Sequence, residues 1–195
     1  METTDIVSEY FDAQNNLNRL AAKYAIEATR RTNTNICIRF YGLDEYDYWF
    51  NAEEIVESGG LCDYLTSILD EPTAKEILNR DSEIVDTDDG LTDYFYGKYG
   101  TFDWKKYEEA VEELEASWLD MDAFVAGLKL GITADKIEDA YVGEFRNDAE
   151  YAEQQIGTLW KIPEFIEPYI DWEHVARDSC GSFHSEEKHY FLTDY

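Results

Sequence analysis

Positive charge is what this sequence most lacks. Its 195 residues hold 16 Lys and Arg against 44 Asp and Glu, a net charge of −28. Even if every base met an acid, 28 carboxylates would be left over. A DNA-binding face needs clustered Lys and Arg to neutralise phosphates. No such run occurs, so neither nucleic acid nor an anionic membrane is an expected partner, and the natural partner is a basic surface. Cysteine is sparse too. Cys37, Cys62 and Cys180 have no paired spacing, which argues for a reducing compartment and against a disulfide framework. The opening METTDIVSEYFD is acidic and has no long apolar run, so neither a signal peptide nor a membrane span is expected. Enzyme signatures are missing as well: there is no phosphate-cradling glycine loop, no GxSxG, no HExxH and no CxxC. No catalytic residue and no cofactor are therefore expected. Among 44 acids a pair of carboxylates carries no information.

What is present is enough to fold. Hydrophobic residues make up 44% and aromatics 15%, with 15 Tyr, 10 Phe and 5 Trp, so this is not a disordered acidic tail. The charge is unevenly placed. The first 31 residues hold five acids and four bases, which leaves −27 on residues 32–195. Self-repulsion of that size costs stability, whereas solubility needs a net charge of only about 2 to 8 in a small domain. The excess has some other use.

The pattern along the chain is several small α+β units in a row. Residues 5–30 read as a helix, with Ile6, Tyr10, Leu17, Leu20 and Tyr24 near helical spacing, and TNTN at 32–35 breaks it. ICIRFYG is a strand, LDE a turn and YDYWF a return strand. Asn51 caps a short helix ending near Gly59–Gly60. A second helix runs from Leu61 to Leu69, stopped before Pro72, and a third spans 73–80. SEIVDTDDG is a strand entering an acidic turn, and LTDYFYGKYG is loop-like. The clearest helix is 103–118, capped by Asp103, with Trp104, Tyr107, Val111, Leu114 and Trp118 on one stripe. Asp120 starts a helix ending at Gly131, and Thr133 starts another to about Ala140. A strand Tyr141–Phe145 follows, then Asn147 as cap with Glu150 at the capping-box position. After KIPEFIEP, Asp171 caps a helix to about Ser179. A hairpin around Phe183 and His189–Leu192 closes the chain.

The acids recur on these elements. Glu108, Glu109, Glu112, Glu113 and Glu115 lie beside the apolar stripe of the 103–118 helix, with only Lys105 and Lys106 nearby. Glu108–Glu112 and Glu109–Glu113 are like-charge i,i+4 pairs, each costing a few tenths of a kcal/mol. Asp139, Glu144, Asp148, Glu150 and Glu153 surround one base, Arg146. A solvated face would explain a single such helix, but the recurrence at Glu53, Glu54 and Glu57 and at Asp86, Asp88 and Asp89 points to a purposeful acidic surface. Two metal readings fail. DTDDG at 86–90 places Gly at the fifth position and Leu91 at the sixth, where a calcium loop needs an acid and then Gly. Cys180, His184 and His189 lack paired zinc-ligand spacing, and His174 with Cys180 is too little for a nucleophile. No metal is expected.

The stretch YVGEF followed by a polar cap and DAEYAE resembles the ArdA family of antirestriction proteins. In that family a Tyr-x-Gly-Glu-Tyr/Phe strand precedes an acidic helix. Tyr141, Gly143, Glu144, Phe145, Tyr151, Ala152 and Glu153 fit this pattern. YIDWEHVARD is similar to a second family segment through Tyr169, Ile170, Asp171, Ala176, Arg177 and Asp178, and HYF to the terminal strand. The resemblance is clearest over 134–195, extends over 90–133 and is loose over 33–89. Residues 1–32 have no counterpart in it.

The resemblance implies an α+β fold, an elongated, curved chain of small α+β domains with a helical middle domain. The domains expected are 33–89, 90–133 and 134–195, after an extra N-terminal helix at 1–32. It also implies a homodimer from a phage or mobile element. Such a dimer mimics bent B-form DNA, carries out no chemistry, and occupies the DNA groove of type I restriction–modification enzymes in the host cytoplasm. The ten carboxylates Glu108, Glu109, Glu112, Glu113, Glu115, Asp139, Glu144, Asp148, Glu150 and Glu153 are then the expected phosphate mimics. Two copies at −28 each carry the charge of roughly 95 Å of duplex at about one charge per 1.7 Å. Competing readings are a DNA mimic aimed at a CRISPR effector, whose channel is also basic, an acidic or halophilic housekeeping protein, and an enzyme using a few of the scattered carboxylates.

Overall fold

Strand β1 (Ile36–Phe40) carries apolar side chains on both faces, with Ile36, Cys37, Ile38 and Phe40 all buried. That pattern requires a central strand covered on both sides. In the computed structural model β1 lies between β2 (Tyr48–Phe50) and β3 (Ser82–Thr87), antiparallel to both. The model describes residues 34–43, 47–179 and 183–193, together with Ala13, Leu17 and Leu20. The latter two are exposed, and the rest of the helix expected over 5–30 lies outside the described residues, as do the turn positions 44–45 and Cys180. Two compact units divide the chain, Met1–Glu108 and Glu109–Tyr195.

In the first unit, short helices cover the sheet. Helix α1 (Ala52–Glu57) starts where Asn51 accepts the Glu54 amide at 3.1 Å, and it buries Ala52, Ile55 and Val56. Helix α2 (Leu61–Ile68) buries Tyr64 and Leu65, and Phe50 meets the rings of Tyr64 and Phe40 edge-on at 6.1 and 6.3 Å. Helix α3 (Glu71–Leu78) begins before the expected 73–80. Asp70 caps it by accepting the Thr73 amide at 3.0 Å, and Pro72 sits inside its first turn, where a missing N–H costs nothing.

The acidic turn after β3 is itself a cap. Asp89 accepts the Thr92 amide at 2.7 Å and opens α4 (Gly90–Phe95). This corrects the loop reading of 91–100, of which only the second half, a 3-10 turn at Lys98–Gly100, is irregular. Asn35 ties the elements together, donating to Asp89 at 2.6 Å and accepting the Ala52 amide at 2.8 Å.

Helix α5 (Trp104–Ala116) buries Tyr107, Ala110 and Val111, a stripe at helical spacing. Tyr107 packs against Phe95 and Phe102 at 5.9 and 5.2 Å. Trp118 is not part of that stripe. The helix ends at Ala116, Ser117 turns back to donate to the Leu114 carbonyl at 2.9 Å, and Trp118 is 68% exposed, with its ring 5.7 Å from that of Tyr141.

The second unit is built on a sheet of order β4-β6-β5, from β4 (Tyr141–Glu144), β5 (Phe183–Glu186) and β6 (His189–Leu192). Helix α6 (Met121–Lys129), capped by Asp120, buries Ala123 through Leu128. It packs against α7 (Ala134–Ala140) across Gly127, where an added Cβ would lie 2.7 Å from Ile137 and 3.2 Å from Phe191. Helix α8 (Asp148–Leu159) is capped by Asn147, and α9 (Trp172–Ser179) by Asp171. Phe145, Tyr151 and Tyr190 form the aromatic core, with Val142 and Phe183 against it. Antiparallel sheets with short helices make the fold α+β, as expected. No helix among the described residues is long and apolar enough to cross a membrane.

Candidate functional site

The YVGEF-to-DAEYAE stretch separates into packing and display. Gly143 has φ 148, and the β4–β6 register shifts between Tyr141 and Gly143. Glycine is required there by the backbone. Phe145, Tyr151 and Ala152 are 6%, 1% and 0% exposed. The Tyr141 ring packs at a tilt against Phe191 at 5.3 Å, and its hydroxyl pairs with His189 Nδ1 at 3.1 Å. The aromatic and small residues of the motif therefore pack, fully or in part, while Glu144, Asp148 and Glu153 face solvent.

Each of the ten candidate carboxylates can now be placed. On α5, Glu108, Glu112 and Glu115 follow one another at i, i+4 and i+7, with Glu109 and Glu113 in the adjacent row. All five are exposed, and they occupy the side of the helix away from Tyr107, Ala110 and Val111. Glu113 and Glu115 stand in the last turn, which has no base. Asp139 likewise stands in the last turn of α7, again with no base. Free carbonyls give a helix C-terminus partial negative charge, so an acid there is unfavourable by about 0.3–1 kcal/mol.

The acids of α8 differ. Asp148 and Glu150 lie in its first turn, where the dipole favours them. Glu150 is committed to local structure: it binds Arg146 Nη2 at 2.8 Å and Nε at 3.0 Å, and accepts the Arg146 amide at 2.6 Å. The capping box expected at Asn147 is thus shifted, its return bond landing one residue earlier. The Arg146 guanidinium and amide hold the Glu150 carboxyl below its ordinary range. Asp148 accepts the Tyr190 hydroxyl at 2.6 Å. By contrast, Glu108, Glu112, Glu113, Glu115, Asp139, Glu144 and Glu153 make no ion pair with the described residues.

The cavity of about 810 Å³ in the second unit is lined by Asn147, Asp148, Glu173, Arg177 and His184 among others. No group of three or more His, Cys, Asp or Glu that could hold a metal occurs among the described residues. Cys37 and Cys62 are free thiols, and burial pushes the Cys37 thiol up to about 11.

A family model described as "Antirestriction protein (ArdA)" matches residues 46–192, three quarters of the chain. The chain belongs to the ArdA family. Its function is therefore antirestriction, the inhibition of restriction–modification enzymes, in a family of inhibitors rather than catalysts. The ArdA match takes in everything from β2 to β6, wider than the 134–195 over which the motifs are clearest; β1 and the expected N-terminal helix precede it. Searches of curated proteins and of solved structures returned no match.

Sequence reasoning missed one surface feature. Leu159, Trp160, Phe165, Ile166 and Tyr169, in and around KIPEFIEP, are 73%, 69%, 75%, 42% and 86% exposed. Its signal was present: six large apolar side chains, Ile162 included, within eleven residues, interrupted by Pro163 and Pro168.

Proposed function

We propose that the protein inhibits a type I restriction–modification enzyme by DNA mimicry, its carboxylates occupying the enzyme's basic DNA-binding groove in the host cytoplasm. One observation carries the reading: acids sit where they cost the fold stability. Glu113, Glu115 and Asp139 oppose helix dipoles, and none of them has a basic partner among the described residues. Their density fits the role. Five glutamates over the eight residues from Glu108 to Glu115 span about 12 Å of helix at ~1.5 Å per residue, or one charge per ~2.4 Å. Duplex DNA carries about one per 1.7 Å. The glutamates of α5 and the acids Asp139, Glu144 and Glu153 are the main proposed contacts. Asp148 and Glu150 contribute less charge to it, being engaged by Tyr190 and Arg146.

The test is cleavage by a purified type I enzyme on its DNA substrate, titrated with the full chain from low to moderate salt. Potent inhibition that weakens as salt rises is expected, because exposed charges are screened within about 8–10 Å at such ionic strengths. No inhibition at low salt would remove type I restriction as the target.

Two features of organisation belong to the same proposal. The chain acts as a homodimer, and the exposed apolar stretch from Leu159 to Tyr169 is its association surface. Sedimentation is expected to give twice the 22.7 kDa of one chain, and a monomer mass at micromolar concentration would contradict this. The domains are 33–89, 90–133 and 134–195, after the N-terminal helix. Limited proteolysis should cut near 89 and 133, and cuts confined to other loops would overturn the division.

A further inference from the structure

The turn between α4 and α5 is built to hold one side chain in solvent. Tyr96 and Phe102 bridge its base, the Gly97 amide donates to the Thr101 carbonyl at 2.8 Å, and the Thr101 hydroxyl donates to the Lys98 carbonyl at 3.1 Å. The turn is also fixed against β3. The Tyr96 hydroxyl donates to the Ile84 carbonyl at 3.3 Å, and a Cβ on Gly100 would stand 2.8 Å from that same oxygen. At the tip, Tyr99 is left-handed, with φ 67 and ψ 30, and 99% exposed. Left-handed backbone costs a side-chain-bearing residue about 1–2 kcal/mol, which Gly avoids and Asn reduces. A ring this exposed gains no packing within its own unit to offset that cost. Backbone strain held by its surroundings concentrates at functional positions, and the hydrogen bonds above do the holding here.

We propose that Tyr99 is a partner-contacting residue whose ring stacks on an arginine guanidinium in the basic groove of the target enzyme; this rests on the DNA-mimic reading. The chemistry follows from the charge of the chain. A surface at −28 selects a cationic partner, and among cationic side chains the planar guanidinium stacks best on an aromatic face. Lys98 is exposed at the same tip, and its charge, screened by water, repels an ammonium and a guanidinium alike, so the choice between them rests on the flat stacking of the guanidinium. Stacking releases no counterions, so it adds a contribution that salt leaves nearly unchanged, unlike the carboxylates.

The experiment is displacement of a labelled duplex from a purified type I enzyme by the full-length wild type and by Tyr99→Gly, Tyr99→Asn and Tyr99→Phe. It is run at two salt concentrations, with thermal unfolding measured alongside. Tyr99→Gly and Tyr99→Asn should unfold no earlier than wild type, yet bind on the order of tenfold more weakly. Tyr99→Phe should bind within about twofold of wild type, since the ring is kept. The fall in affinity with salt should be the same for all four. Wild-type affinity in Tyr99→Gly, or equal losses in Tyr99→Phe and Tyr99→Gly, would overturn the Tyr99 contact alone. Failure of the wild type to displace DNA at low salt would overturn the mimic reading and the contact with it.

Discussion

Neutralising Glu113 and Glu115 together should stabilise the protein and weaken it as an inhibitor. Both are exposed in the last turn of α5, a turn without a base, and neither is ion-paired with the described residues. Glu→Gln keeps the side-chain length and has nearly the same helix propensity, so the change isolates charge. Each carboxylate opposes the helix dipole by about 0.3–1 kcal/mol. The double variant should gain about 1 kcal/mol, a rise in Tm of about 2–4 °C for a chain of this size. Against a basic groove the same two charges each contribute up to about 1 kcal/mol at contact distance in water. Inhibition should therefore weaken by up to about thirtyfold, while either single change stays within about fivefold. Thermal unfolding followed by circular dichroism, paired with a titrated cleavage assay, reads both quantities. A fall in Tm would refute the dipole argument. A rise in Tm with unchanged inhibition would refute the assignment of α5 to the contact surface. A single substitution that abolished inhibition would refute the distributed model.

Three further outcomes follow from the packing. Gly127→Ala should destabilise the second unit by about 1–3 kcal/mol despite alanine's better helix propensity, because the new Cβ meets the stiff Ile137 side chain at 2.7 Å; denaturant unfolding measures it. Tyr190→Phe deletes the 2.6 Å donor to Asp148 from a side chain 3% exposed, and should cost about 1–2 kcal/mol by the same method. Glu150 has a lowered pKa because of Arg146, so its contribution is present above the ordinary glutamate range and is lost as pH falls through the depressed value. Glu150→Gln should flatten stability against pH in that acid window, and an unchanged profile would show the ion pair to be inert.

The sequence carried the local features of this fold because they are set by neighbouring residues. Asn51, Asp120, Asn147 and Asp171 were legible as caps, and each accepts the amide three residues on. β1 was legible as an apolar run, Ile36, Cys37, Ile38 and Phe40, broken only by Arg39. The failures came where a distant contact or a competing rule decided. Helix α4 was hidden behind a glycine and a run of tyrosines, its Asp89 cap resembling an acidic turn until Asn35, 54 residues away, is seen to hold it. Trp118 continued the helical spacing of α5, but the Ser117 turn ends the helix before it. At the surface, the exposed glutamates of α5 could be read from periodicity alone. That Asp148 is engaged by Tyr190 could not, since those residues are 42 apart. The left-handed backbone at Tyr99 left no trace in its residue type.

The most direct measurement is an equilibrium competition at low salt between the protein and a labelled duplex for a purified type I restriction–modification enzyme. Mimicry predicts mutual exclusion: the apparent Kd for DNA rises in proportion to inhibitor concentration without a plateau, and the rise shrinks as salt is added. A plateau, with enzyme, DNA and inhibitor bound together, would contradict occupation of the DNA groove.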